Sequence, residues 1–354
     1  MDGLINVKMH TMCHKRFLSL LPSKYQSEDS NKLAIAYFSL ASLQLLNTLE
    51  TSFTVEERQK FIDFIYSHLI TTDKYSGFCG SLIYNKTEES MELAATCFSL
   101  QCLLILKDNF KRIDRRKILN FVKACQLSNG GFTNGLLSKY VKDLRYVMIA
   151  TTISRILVKD RSKVGEIIDI PKLYSFILQL QSYDGGFSMY PGDESHCGMV
   201  FCAVDSLFNI NHINKFNHKS LLDFLTHRQI DFNTFNKPEY DWNEYADMED
   251  IGGFNGRLNK YGDTCYVFWS LASLELLSLE NIVNTEKALD FLLNKTQNFK
   301  MGGFNKTTDP DEFPDPMHSF LGLCALSILN HEQVSQLNCQ FVIPQQSYEH
   351  WLTL

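Results

Sequence analysis

Apolar residues recur at helical spacing along much of the chain. Leu33, Ala36, Leu40, Leu43 and Leu46 share one face. Val200, Ala203, Val204, Leu207 and Phe208 share another, and Leu271, Leu274 and Leu277 a third. Alternating, strand-like runs are scarce. Between the helical stretches stand glycine turns. Gly-Gly-Phe occurs at 130–132, 185–187, 252–254 and 302–304, after a degenerate copy, Ser76-Gly77-Phe78-Cys79-Gly80. The steps from Phe to Phe are 54, 55, 67 and 50 residues. Gln126, Gln181 and Gln297 each precede a copy at short range. A period of this length holds two helices and a turn, so the pattern predicts an all-α array of helical hairpins. The glycines permit positive φ and close backbone approach. The Phe is expected in the core beside the turn. Five or six such units form either an open solenoid or a closed double-ring α/α barrel (toroid), and the pattern leaves both open. We read 1–354 as a single domain of this kind, with a flexible N-terminus over 1–15. The longest step holds an insertion, Asp231 to Asp250, with seven acids and one Lys. It reads as a solvated surface loop.

Composition narrows the classes. A chain of 354 residues, 45% hydrophobic, has enough apolar surface for a large core and is not disordered. Its 34 Lys and Arg against 40 Asp and Glu give a formal charge of −6. That sign argues against nucleic acid or an anionic membrane as a general partner. No apolar run reaches about 18 residues, so no transmembrane helix is expected. The polar start, Met1 to Arg16, lacks the apolar stretch of a signal peptide. Ten cysteines without a CxxC pair imply reduced, mostly buried thiols and a cytoplasmic location.

The candidate chemistry falls at one place in each repeat. Counted from the second glycine of its turn, Arg145 lies 14 residues on and His196 lies 10 on. Arg257, Lys260, Asp263 and Cys265 lie 4, 7, 10 and 12 on, and His318 lies 15 on. Equivalent repeats would bring these side chains to one mouth or groove. Asp263, Cys265 and His318 offer a carboxylate, a thiolate and an imidazole. That is a three-ligand zinc set with a fourth position open, the pattern of a catalytic site. Residues two apart do not share a helix face, so Asp263 and Cys265 must straddle a helix start. The bland alternatives are an N-cap for Asp263, a buried thiol for Cys265 and a capped core histidine for His318. Arg257, Lys260, His196 and Tyr266 would form a local cationic pocket suited to a diphosphate. The alternative is a set of surface charges paired with Asp193, Glu194 or the insertion.

The segment Gly252-Gly-Phe-Asn-Gly-Arg-Leu-Asn-Lys-Tyr-Gly-Asp-Thr-Cys-Tyr-Val-Phe-Trp269 resembles the core motif of protein prenyltransferase β subunits. Glu194-Ser-His-Cys-Gly-Met-Val-Phe-Cys202 resembles their diphosphate-binding histidine segment. Asp143-Leu-Arg-Tyr146 and Pro316-Met-His-Ser-Phe-Leu-Gly322 fit as well. The stretch from Leu20 to Leu33 is similar to the type I geranylgeranyltransferase branch in particular. The resemblance covers His14 to Leu329.

It implies an α/α barrel wrapped by a helical α subunit. It implies zinc on Asp263, Cys265 and His318, with Tyr266 beside them. It places the diphosphate on His196, Arg257, Lys260 and Tyr266, helped by a lysine of the α subunit. Arg145 and Trp269 would line the isoprenoid funnel. The acceptor would be the Cys of a C-terminal CaaX tail ending in Leu or Phe, on proteins such as Rho-type small GTPases. Ala34 and Leu321 stand where farnesyltransferases carry bulky aromatics, which implies a deeper cavity and geranylgeranyl diphosphate as donor. Phe38 and Met317 would contact the CaaX terminus. Met199 departs from the usual aromatic over the lipid. Lys306 is a candidate to replace magnesium, while Asp309, Asp311 and Glu312 equally offer ligands for it. The rivals within the class are the farnesyltransferase and Rab geranylgeranyltransferase β subunits. Outside it stand a terpene cyclase, whose DxDD segment is missing, and a non-enzymatic helical scaffold.

Overall fold

The computed structural model describes residues 4–21, 23–138, 143–215, 218–232, 247–279 and 282–354. Most of the acidic insertion, 233–246, lies outside them. Helices alternate between two rings. The outer set is α1 (Val7–Ser19), α3 (Val55–Ser67), α5 (Arg115–Cys125), α7 (Ile170–Gln179), α9 (His218–Thr226) and α11 (Thr285–Asp290), the last continuing into a π-helical turn, Phe291–Thr296. The inner set is α2 (Lys32–Leu45), α4 (Leu93–Ile105), α6 (Leu144–Leu157), α8 (Cys197–Asn209), α10 (Thr264–Leu276) and α12 (Pro316–Ile328). Sequence sorts them. Outer helices bury one stripe, as with Ile118, Phe121, Val122 and Cys125 on α5. Inner helices are apolar nearly all round and buried on most sides.

The ring closes. Each inner helix packs on the next from α2 to α12, and α12 packs back on α2. Closure of the outer ring shows in the turns. The first glycine of each Gly-Gly-Phe has positive φ, and a Cβ there would strike the backbone at the start of the next outer helix. Gly130 meets Lys172 of α7, Gly185 meets Ser220 of α9, Gly252 meets Lys287 of α11, and Gly302 meets Met9 of α1. The last turn therefore abuts the first helix. A glutamine clamp repeats the same logic. Gln126 bonds both backbone groups of Asp169, Gln229 those of Asn284, and Gln297 takes the amide of Asn6 while donating to the carbonyl of Leu4. Asp169, Asn284 and Asn6 are the N-caps of α7, α11 and α1. All five turn phenylalanines, Phe78, Phe132, Phe187, Phe254 and Phe304, are fully buried, as the repeat predicts.

One expectation is corrected. The N-terminus, expected to be flexible over 1–15, forms α1 from Val7 and fills the sixth outer position. His10, Cys13, His14 and Phe17 of α1 are buried. Gly302→Ala should therefore destabilise the chain by at least about 2 kcal/mol, through both the left-handed φ and the collision with Met9. Urea denaturation measures this, and wild-type stability in the variant would refute the closure contact.

The two ends of the barrel differ. At the C-terminal ends of the inner helices, the chain terminus forms a plug. Gln101 donates to the Phe341 carbonyl, Gln340 to Asn209, Trp351 to the Ile156 carbonyl and Tyr37 to the Val342 carbonyl. At the other end the N-termini of the inner helices surround a mouth. Their N-caps are Asn31, Glu92, Asp143, His196, Asp263 and Asp315. At this opening the side chains of Asp143, His196, Asp263 and Asp315 each accept a first-turn amide of their helix.

Candidate active site at the barrel mouth

Asp263 and Cys265 do straddle a helix start. Asp263 is the extended N-cap of α10, and its Oδ1 accepts the Cys265 amide at 2.8 Å. The N-cap alternative is therefore true as well, and it aims the carboxylate over the first turn. His318 lies in the first turn of α12, after Pro316 at N1. Its Nε2 is 3.4 Å from Asp263 Oδ1. One donor atom from each of Asp263, Cys265 and His318 lies within 4.8 Å of the others, and all three residues are buried.

Ionisable groups crowd this cluster. Burial alone would lower the pKa of His318, but bonds to Asp263 and Asp315 outweigh it and raise the group to about 9. Burial and the Asp263 carboxylate push the Cys265 thiol well up. The imidazole thus lies between two carboxylates, Asp263 on Nε2 and Asp315 on Nδ1. The set offers sulfur, nitrogen and oxygen donors, the mixture that suits zinc. Asp315 completes it. Its Oδ2 sits 2.6 Å from His318 Nδ1, and its Oδ1 accepts the amides of Met317 and His318. Holding Nδ1 in this way leaves Nε2 facing Asp263. Sequence reasoning missed Asp315. The available signal was a carboxylate three residues before a histidine at a helix start.

His196 and Tyr266 form the adjoining group. The Gly198 amide donates to His196 Nδ1 at 3.1 Å, so the ring proton sits on Nε2. Nε2 lies 2.7 Å from the Tyr266 hydroxyl and donates to it. Burial and then the nearby Arg257 lower the His196 pKa and keep it neutral. Burial raises that of Tyr266, which stays a phenol. With its oxygen accepting from His196, the Tyr266 O–H is left to donate elsewhere. Gly256 makes room for this ring, since a Cβ there would collide with it. Arg257 pairs with Glu194 at 2.7 Å, and both side chains are about half exposed. That matches the surface-pair alternative, but such a pair is weak and exchangeable. Lys260 is exposed on the same loop.

The expected lipid-pocket residues divide. Arg145 forks onto the buried Asp143, with Nε–Oδ1 3.0 Å and Nη2–Oδ2 2.8 Å. Ala34 and Phe38 are only half-buried although they lie on an inner helix, as are Ala94 and Phe98 on the next. Inner helices are covered on their outer face, so these positions face a central space. Phe38 packs against Phe98 and Phe320, with centroids 6.0 and 5.6 Å apart. Trp269 stacks on Phe201 at 5.1 Å, about 9 Å below Asp263 along α10. Met317 is exposed at the mouth beside His318. Leu321, expected in the cavity wall, is fully packed at 2% exposure, and so is Met199 at 6%. Lys306 lies near enough to Cys265 to draw its pKa down, against the larger effect of burial.

A helical double ring with polar groups gathered at one mouth defines a known class. The chain matches the prenyltransferase alpha-alpha toroid domain over residues 5–343 and belongs to that family. Within it, the fold superposes on Candida albicans protein geranylgeranyltransferase-I complexed with GGPP. The TM-score is 0.89 at 38% identity, over 98% of each chain. The type-1 geranylgeranyl transferase β subunit of Arabidopsis thaliana is 29% identical over 95% of this chain and 88% of its own length. That of Dictyostelium discoideum is 27% identical over 95% and 94%. The protein is thus a prenyltransferase β subunit of the kind found in type I geranylgeranyltransferases.

Proposed function

We propose that this chain holds zinc and transfers a geranylgeranyl group from its diphosphate to the Cys of CaaX tails ending in Leu or Phe, as on small GTPases. The observation that carries the reading is the buried Asp263–Cys265–His318 set beside the His196–Tyr266 pair. Zinc bound there would keep the acceptor sulfur as thiolate at neutral pH. The chain's own residues do the rest. Tyr266 donates to the diphosphate, and Arg257 leaves Glu194 to join Lys260 on it. These groups stabilise charge as the C1–O bond breaks and the S–C1 bond forms. The diphosphate leaves with the electron pair, and no general base on this chain is required. Half-buried Ala34, Phe38 and Trp269 hold the isoprenoid along the barrel axis.

An α subunit completes the enzyme. Each of four loops at the mouth carries an exposed apolar residue, Ile83, Leu137, Leu258 or Phe313, which supports a covering partner. Lys306 is the candidate to replace magnesium, and Asp309, Asp311 and Glu312 are the alternative ligands for it; of these, Glu312 and Asp309 accept the loop amides of Thr307 and Asp311. Ten free, buried cysteines fit a cytoplasmic setting. Among the described residues no helix is long and apolar enough to cross a membrane.

The test uses the chain co-expressed with its α subunit. A free CaaL peptide should be modified, and faster with geranylgeranyl than with farnesyl diphosphate. Ala34→Trp should fill the central space and reverse the preference by at least about tenfold, the range a few methylenes command in an apolar pocket. A wild type that prefers farnesyl diphosphate sinks the lipid assignment. A wild type inactive on free peptide points to escort-presented substrates instead.

A further inference from the structure

The two halves of the proposed metal set come from different loops, and a single buried carboxylate joins those loops. Asp250 is 1% exposed. Its Oδ2 accepts the Gly262 amide at 2.7 Å, one residue before Asp263. Its Oδ1 accepts from Thr308 Oγ1 at 3.4 Å. Thr308 belongs to the loop that runs from Phe304 to Asp315 and His318. Beside it, Thr264 donates its amide to the Lys306 carbonyl and its hydroxyl to the Asn305 carbonyl.

The preceding unit offers a comparison. In the preceding unit Asp184 bonds the Ser195 hydroxyl, again one residue before the N-cap, His196. There the contact is to a side-chain hydroxyl, whereas Asp250 holds the backbone amide of Gly262 itself. In the unit that carries Asp263 the N-cap is a proposed metal ligand. We infer that Asp250 is a positioning residue for the metal set: it fixes the backbone entering Asp263 and ties it to the loop bearing His318. The inference rests on the zinc reading above. Asp250 touches neither the metal nor the substrates. It is also the last residue of the acidic insertion.

Outer partners of metal ligands typically change metal affinity by about 10–100-fold. The experiment measures zinc affinity by chelator competition in the heterodimer, for wild type, Asp250→Ala, Asp250→Asn and Thr308→Val. Asp250→Ala should weaken zinc at least about tenfold. It should also alter the absorption bands of the cobalt-substituted protein. Affinity for geranylgeranyl diphosphate should be unchanged. Asp250→Asn keeps an acceptor for the Gly262 amide and should recover most of the loss. Thr308→Val should cost about threefold, and it decides the matter if Asp250→Ala does not fold. Zinc affinity unchanged in Asp250→Ala, or in Thr308→Val where the alanine variant fails, overturns the role of Asp250. So does a parallel loss of zinc and diphosphate affinity, which marks general unfolding. A wild type that binds no zinc sinks the metal reading itself and is told apart by being measured first.

Discussion

Cys265→Ser is expected to abolish stoichiometric zinc and to lower transfer at neutral pH by at least about thirtyfold. Ionisation of the acceptor sets the size of the effect. A free cysteine substrate is only a few per cent thiolate at pH 7. A site that holds the acceptor as thiolate removes that limit. Serine replaces the one soft donor and leaves the Asp263 carboxylate and the His318 imidazole, which is too few for a tight site. Without the metal the acceptor must ionise unaided. The rate of the variant should therefore climb with pH towards the substrate thiol pKa of about 8.5, whereas wild type stays flat there. Diphosphate affinity should hold, because His196, Tyr266 and Arg257 lie on separate side chains. Metal analysis and a pH–rate profile check both parts. If wild type and variant are equally free of zinc, the mechanism fails and the scaffold reading gains. If the variant keeps wild-type activity at pH 7, Cys265 is one more buried thiol.

Much of this was legible in the sequence, for physical reasons that also explain the gaps. The repeat was visible because each first glycine sits where any Cβ would strike the next outer helix. A constraint of that kind leaves a mark at fixed intervals. The glutamine clamp was half visible. Gln126, Gln181 and Gln297 stand close to their turns, but Gln229 is separated from Gly252 by the insertion and was overlooked, though it makes the same bonds. Ring closure was hidden because α1 buries His10, Cys13 and His14. A face made of such residues carries little apolar signal, so the start of the chain looked like a tail.

The site shows the same division. Shared register from the glycines predicted that Asp263, Cys265 and His318 converge, and they do. Register reports which end of a helix a residue occupies. It does not report which carboxylate turns toward which nitrogen. Asp315 and Asp250 both act through hydrogen bonds whose geometry depends on loop conformation, so neither stood out. Leu321 shows how little a motif says about enclosure. Its position in the motif suggested a cavity wall, but on α12 it is enclosed, while its neighbour Phe320 packs on Phe38.

Acid should unlock the barrel at α1. His14 is fully buried, and neither ring nitrogen has a hydrogen-bond partner. Burial, then the neighbouring His10, lower its pKa to about 3. His10 stacks on Phe304 and contacts Gln297, and burial lowers its pKa to about 4 despite that bond. Both histidines are neutral in the folded chain and take up protons near pH 6.5 when it unfolds. Below pH 6.5 the unfolded state binds more protons, so stability falls as pH drops until the folded pKa values are reached. At about 1.4 kcal/mol per unit, His14 alone costs on the order of 3 kcal/mol between pH 6.5 and 4. The loss falls on the helix that closes the outer ring, next to the loop that carries Asp315 and His318. His14→Phe should therefore flatten the pH dependence by that amount. It should also stabilise the chain slightly at pH 7, because it removes two buried polar atoms that bond to nothing. Urea midpoints at pH 7, 5 and 4 for both chains supply the measurement. The difference between the chains isolates His14 from every other group that titrates in this range, including the metal ligands. If that difference does not grow as pH falls, α1 does not hold His14 neutral and buried as described.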